Sequence, residues 1–224
     1  MTSYPFAVGY LLTEGIIGSM GDIGAIAFCQ EEPGNVVRVT PCNGCDLLSR
    51  LDAYRVVFSS CSICGKEAIQ AVTSCRPPFS KEKARLSPAV ISELERFMNL
   101  EQPYFRRTGG THAAVLAQID KGSIVARSAI VKEDIGRHNA LDKVVGEALM
   151  RGVRFDDSFL FLSGRISFEM VAKAARAGIS DLAAVSAPTA VAVELARQLG
   201  MLLVGFARGE SAVVYSGKEA LMVG

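Results

Sequence analysis

The chain has 224 residues, half of them hydrophobic, enough to bury a substantial core in one large domain or two small ones, which excludes an extended disordered chain. Lysine and arginine number 24 against 23 aspartates and glutamates, so a formal charge of +1 offers no global field favouring nucleic acid or an acidic membrane surface. No apolar run approaches the roughly 20 residues of a spanning helix, and the opening MTSYPFAVGYLLTEGIIG lacks a basic n-region and a small-residue cleavage site, so the expectation is a soluble, cytoplasmic protein.

In chain order, apolar periodicity predicts a helix over Phe6 to Ile17, short strands at Ile23 to Phe28 and Val36 to Val39, and another at Tyr54 to Phe58. All six cysteines fall in this less regular third, and Arg76-Pro77-Pro78 marks its end, giving a smaller amino-terminal subdomain over 1–78 and an α/β domain over 79–224. A helix follows, capped by Ser87 with Pro88 in the tolerated first position, and its apolar face is Val90, Ile91, Leu94, Phe97 and Met98. Ser123 to Val131 reads as a strand, His138 to Met150 as a helix and Phe159 to Leu162 as a buried strand. Phe168 to Ala177 is a helix stopped by Gly178, Leu182 to Val185 a strand, and Ala190 to Leu199 a helix ending at Gly200. Leu202 to Phe206 and Ala212 to Tyr215 close the pattern. This βαβα order implies a mostly parallel sheet covered by helices.

Two C-x-x-C pairs concentrate the chemistry. In a reducing compartment cysteines are metal ligands, redox groups or small buried side chains rather than a disulfide framework. Ser59 to Gln70 places Cys61 and Cys64 between strand-like and helix-forming residues, where free N–H groups, a helix dipole and Lys66 would stabilise a thiolate. Cys42, Cys45, Cys61 and Cys64 also fit the zinc spacing C-x2-C-x15-C-x2-C, and spacing alone puts zinc ahead of redox or sulfur chemistry. TGGTH, from Thr108 to His112, reads as a glycine turn before a helix-forming AAVLA, suited to an anion. The only two histidines, His112 and His138, flank glycine turns, and Glu133 to Lys143 packs seven polar or charged groups into eleven residues. Ser163-Gly164-Arg165, Ser186 to Thr189 and Arg208-Gly209-Glu210 each follow an apolar strand, where ligands of open α/β sheets collect.

TEGII, CSICGK, TGGTHAA, EDIGRHNALDKVVG, SGRISFEMVAKAARAGI, AVSAPTAVAVELA and GFARGE, in this order from about Phe6 to Tyr215, resemble the FdhD family of formate dehydrogenase accessory proteins. The resemblance implies a cytidine-deaminase-like α/β/α sandwich, a homodimer, and a sulfur carrier. Such a carrier takes persulfide sulfur from a cysteine desulfurase and passes it to the molybdenum bis-guanine-dinucleotide cofactor that formate dehydrogenase needs. It maps the persulfide onto Cys61, associates Cys64 with transfer, and places cofactor binding, with GDP as an analogue, on Phe206, Ala207, Arg208, Gly209, Glu210 and Ser211. The family usually carries further strands ahead of the TEGII helix, and Cys42-Asn-Gly-Cys45 is not part of its common pattern. The alternative is a zinc-stabilised nucleotide-binding module without catalysis. A zinc deaminase would want His-x-Glu or Cys-x-Glu near Pro-Cys-x-x-Cys, and neither occurs.

Overall fold

The computed structural model describes residues 3–28, 36–45, 69–70, 72–74, 78–79 and 86–222. Helix α1 (Ser3–Thr13) leads through a one-turn 3-10 helix, Met20–Asp22, into a two-stranded antiparallel ribbon of β1 (Ile23–Phe28) and β2 (Val37–Pro41). Helix α2 (Ala89–Leu100) is capped in part as foreseen, the Ser87 hydroxyl accepting from the Ala89 N–H at 3.3 Å. Val90, Ile91, Leu94 and Met98 recur at helical spacing and are buried.

A short helix α3 (Pro103–Thr108), absent from the sequence reading, ends at Gly109 in the left-handed region. The next segment corrects an expectation. AAVLA is no helix: His112–Asp120 forms strand β3, buried from Ala113 to Ala117. Alanine favours helices in isolation, but this stretch pairs on both edges and packs on both faces, so burial overrides propensity. Ser123 to Val131 is likewise not one strand; it splits into β4 (Ser123–Ile124), a turn with Arg127 at φ 61°, and β5 (Ile130–Asp134).

Helix α4 (Arg137–Met150), strand β6 (Ser158–Leu162), helix α5 (Phe168–Ala177), strand β7 (Asp181–Ala184), helix α6 (Ala190–Gln198) and strands β8 (Leu202–Arg208) and β9 (Ser211–Ser216) complete the order. The main sheet runs β4-β3-β6-β7-β8-β9, with β5 also on β3. Only β6, β7 and β8 are mutually parallel; β3 is antiparallel to β6, and β9 to β8. The sheet is therefore mixed rather than mostly parallel. Helical βα crossovers account for the three parallel strands, while β9 follows a tight hairpin that can only reverse direction.

The period-2 alternation of the strands sorts their side chains into two cores. Ala114, Leu116, Leu160, Leu162, Leu182 and Leu203 join α1, α4, α5 and α6 on one face. Val115, Ala117, Phe159, Phe161, Ala183 and Val204 face α2 on the other. Helix α1 crosses α4 at two glycines: a Cβ on Gly146 would lie 1.8 Å from the Pro5 carbonyl oxygen, and one on Gly9 would lie 1.7 Å from that of Asp142. No helix among the described residues is long and apolar enough to cross a membrane.

Candidate functional site

Strand direction collects the polar turns at one edge. The parallel strands β6, β7 and β8 end there at Leu162, Ala184 and Arg208. The antiparallel β3 starts there at His112, and β5, antiparallel to β3, ends there at Asp134. The connections continue the sheet past the strands. Ser163 N–H donates to Ala113 O at 3.0 Å, Ile166 N–H to Ala187 O at 3.2 Å, Thr189 N–H to Ile166 O at 2.9 Å and Phe206 N–H to Ser186 O at 3.3 Å. The expected rim is thus a continuous backbone ledge.

At its far end Phe206 to Ser211 forms the last of β8, a turn and the first residue of β9. The β8–β9 register shifts between Gly205 and Arg208, and within that bulge Phe206 takes φ 51°, a conformation uncommon for a non-glycine residue. Its ring is half exposed, whereas Ala207 is buried. Arg208 Nε donates to Val185 O at 3.3 Å. The turn is clamped from α2, where the Gly209 N–H donates to Glu95 Oε2 at 2.6 Å and the Ser92 hydroxyl donates to Gly209 O at 2.6 Å. Glu210 is exposed and Ser211 pairs with Arg208 across the turn. Ser92 and Glu95 escaped the sequence reading, because polar residues opposite the apolar stripe of a helix look the same as a solvated face.

At the near end the Ser163 hydroxyl accepts from the Ala113 N–H at 2.9 Å and lies 3.4 Å from His112 Nδ1. Burial, and then the nearby positive charge of Arg137, hold the His112 imidazole below its ordinary pKa; the same two causes lower that of His138. Burial pushes the Asp134 carboxyl up, but bonds from Lys143, the Gly136 N–H and Asn139 pull it below the usual carboxylate range overall. Asp134, Asn139 and Lys143 also line a cavity of about 630 Å³ walled by Phe6, Tyr10 and Leu11 of α1 and by Val37 and Val39 of β2.

Cys61 and Cys64, the two sequence-predicted catalytic residues, lie outside the described residues, as does the expected strand Tyr54 to Phe58. Cys42 and Cys45 are joined by a disulfide at the end of β2. While that bond is closed neither sulfur is a thiolate able to ligate zinc. Among the described residues no cluster of three or more His, Cys, Asp or Glu is placed to hold a metal ion.

The model of the FdhD/NarQ family matches residues 2–222. The chain belongs to the FdhD/NarQ family. The sulfur carrier protein FdhD of Streptomyces coelicolor is 40% identical over 96% of this chain and 78% of its own length. That of Thermoplasma volcanium is 39% identical over 97% of this chain and 77% of its own. Among solved structures, one assigned as a formate dehydrogenase accessory protein of Desulfotalea psychrophila covers 99% of this chain and 80% of its own, with a TM-score of 0.72 at 24% identity, a likeness of fold. FdhD/NarQ membership agrees with the motifs distributed along the ledge, from TGGTH to FARGES.

Proposed function

We propose that this chain is a cytoplasmic sulfur carrier that takes a persulfide onto Cys61 and delivers its outer sulfur to the molybdenum bis-guanine-dinucleotide cofactor before that cofactor enters formate dehydrogenase. The observation that carries the reading is its FdhD/NarQ membership over residues 2–222, with relatives named as sulfur carriers at about 40% identity. In the first step the Cys61 thiolate attacks the outer sulfur of a cysteine desulfurase persulfide. The donor's S–S bond breaks, a new S–S bond forms on Cys61, and the donor leaves as a thiolate. In delivery the Cys64 thiolate attacks the inner sulfur of the Cys61 persulfide and expels sulfide towards the molybdenum of the client. The Cys61–Cys64 disulfide left behind is returned to two thiols by an external thiol reductant.

The molybdenum cofactor is a client rather than a resident group. Its nucleotide end would lie on Phe206 to Ser211, where the exposed Arg208 guanidinium supplies charge for phosphate on a turn that α2 holds in place. The same reading includes a homodimer of cytidine-deaminase-like α/β/α subunits. Intact-protein mass spectrometry after incubation with a desulfurase and cysteine tests it. The expected gain is about 32 Da per sulfur on the parent and none on Cys61→Ala. An unlabelled parent in its reduced, metal-free form, with zinc recovered from the purified protein, would move the reading to a zinc-stabilised nucleotide-binding module.

A further inference from the structure

Three buried polar atoms at the near end of the ledge lack a hydrogen-bond partner among the described residues: Arg137 Nε, His138 Nε2 and Ser167 Oγ. Buried polar atoms are nearly always satisfied, and an orphaned one needs a cause. These three sit at the starts of α4 and α5, the two helices that leave the ledge beside β3 and β6. Arg137 is the central group. Its side chain and the His112 ring flank Gly164, where an added Cβ would lie 3.5 Å from Arg137 Cδ and 3.3 Å from His112 Nδ1. The charge of Arg137 reaches both imidazoles, lowering each.

Of the neighbouring acids, Asp134, Glu133 and Glu14 are bonded elsewhere, and Glu169 turns its charge towards His138. Asp134 receives bonds from the Gly136 N–H, Asn139 and Lys143. Glu133 accepts from the N–H groups of Tyr104 and Phe105 and from the Thr111 hydroxyl. Glu169 and Glu14 act on His138, and Glu14 is itself paired with Lys173 and Arg176. No carboxylate pairs with Arg137 among the described residues.

An Arg without a carboxylate partner among the described residues, a hydroxyl and two imidazoles, each of which carries at least one ring N–H, form a donor set centred on the Arg137 charge. Its complement is a ligand that only accepts and carries negative charge. We infer that Arg137, His112, His138 and Ser167, around the bare edge of Gly164, form an oxyanion site of phosphate or pyrophosphate class, distinct from the Phe206 to Ser211 turn. Three strand spacings separate β3 from β8, roughly 14 Å, so the two sites are not one. The inference does not need the sulfur-transfer reading: the site binds an anion whether or not Cys61 carries sulfur.

The protein has only two histidines, so the imidazole C–H proton signals report this corner alone. The full chain is titrated with inorganic pyrophosphate at constant ionic strength. The expected result is saturable movement of both histidine signals, with the same midpoint within a factor of about three in Arg208→Ala, and a midpoint raised roughly tenfold or more in Arg137→Gln, the loss of one hydrogen bond to a charged group. Should Arg137→Gln not fold, as a thermal melt would reveal, Arg137→Lys takes its place; it keeps the charge and loses the planar fork, and a raised midpoint is again expected. Titration of GDP alongside separates sources. Tighter binding than pyrophosphate assigns the site to a nucleotide's diphosphate, equal or weaker binding assigns it to a free oxyanion, and both uphold it. Static histidine signals, an unchanged midpoint in a folded Arg137 variant, or loss of the response in Arg208→Ala would each overturn it.

Discussion

Lys173 is the perturbation with the largest expected cost. It stands in the middle of α5, 6% exposed, with Nζ 3.0 Å from both carboxylate oxygens of Asp142, 3.0 Å from Thr13 Oγ1 and 2.7 Å from Glu14 Oε1. The Thr13 hydroxyl donates to Asp142 Oδ1 at 2.7 Å, so this one network ties α1, α4 and α5 together. Lys173→Met keeps the stem and removes the charge, leaving Asp142, 1% exposed, as a buried carboxylate without its cation. Breaking one side of a buried pair costs about 3–5 kcal/mol, and at 2–4 °C per kcal/mol for a chain of this size the melting temperature should fall by about 6–20 °C. Burial already raises the Asp142 carboxyl above its ordinary value against the pull of Lys173, and the variant removes that pull. A raised folded-state pKa means the folded chain takes up the proton first, so stability is regained as pH falls from the folded value towards the unfolded one. The deficit of Lys173→Met should therefore be smaller near pH 5 than at pH 7, and Asp142→Leu combined with Lys173→Met should recover most of it. Calorimetric melts at both pH values decide the matter. A variant melting within about 2 °C of the parent, or an equal deficit at both pH values, would refute the reasoning.

Gly146→Ala should lower the melting temperature by about 2–12 °C, the equivalent of 1–3 kcal/mol of overpacking, because its Cβ meets backbone rather than a movable side chain; an unchanged melt would mean that α1 does not sit on α4 at this crossing. In Arg137→Gln both imidazoles should titrate at higher pH than in the parent, read from their proton signals, since a charge that depresses both of them is gone. Depressed histidines favour the fold while neutral, and that stability is lost as pH falls below about 6.5 through the folded-state values; the acid-side loss should accordingly shrink in the variant. Ser92→Ala with Glu95→Ala should speed hydrogen exchange at the Gly209 amide by about tenfold or more, the effect of losing a bond to a charged acceptor, and unchanged exchange would show that α2 does not hold the turn.

What the sequence made legible follows from what is local. The stop of α5 at Gly178 was readable because a left-handed C-cap needs no tertiary partner. The strand ends were readable because Ser163-Gly164-Arg165 and Arg208-Gly209-Glu210 interrupt apolar runs abruptly. Strand direction was not: counting βα alternations says nothing about β3, whose path to β6 passes through β4, β5 and α4 before it pairs antiparallel. AAVLA misled for the same reason, since only the finished sheet supplies the burial that makes alanines a strand. Within the site, Ser163 meets His112 across 51 positions and Glu95 meets Gly209 across 114, and no motif of either segment announces such pairs.

These long-range pairs decide how the ledge can act. A ligand on either stretch of the ledge would meet backbone already bonded connection to connection, through Ser163 to Ala113, Ile166 to Ala187, Thr189 to Ile166 and Phe206 to Ser186. Little ordering would then be charged against binding, which is the condition under which a few charged contacts suffice for affinity. The same tightness makes the ledge intolerant at one place. A Cβ on Gly205 would lie 2.8 Å from Pro188 Cδ, 3.0 Å from Tyr215 Cε2 and 3.2 Å from Ser186 O. Any side chain there must push the β7 connection away from β8, and with it the Ser186 carbonyl that holds the Phe206 amide in its uncommon conformation.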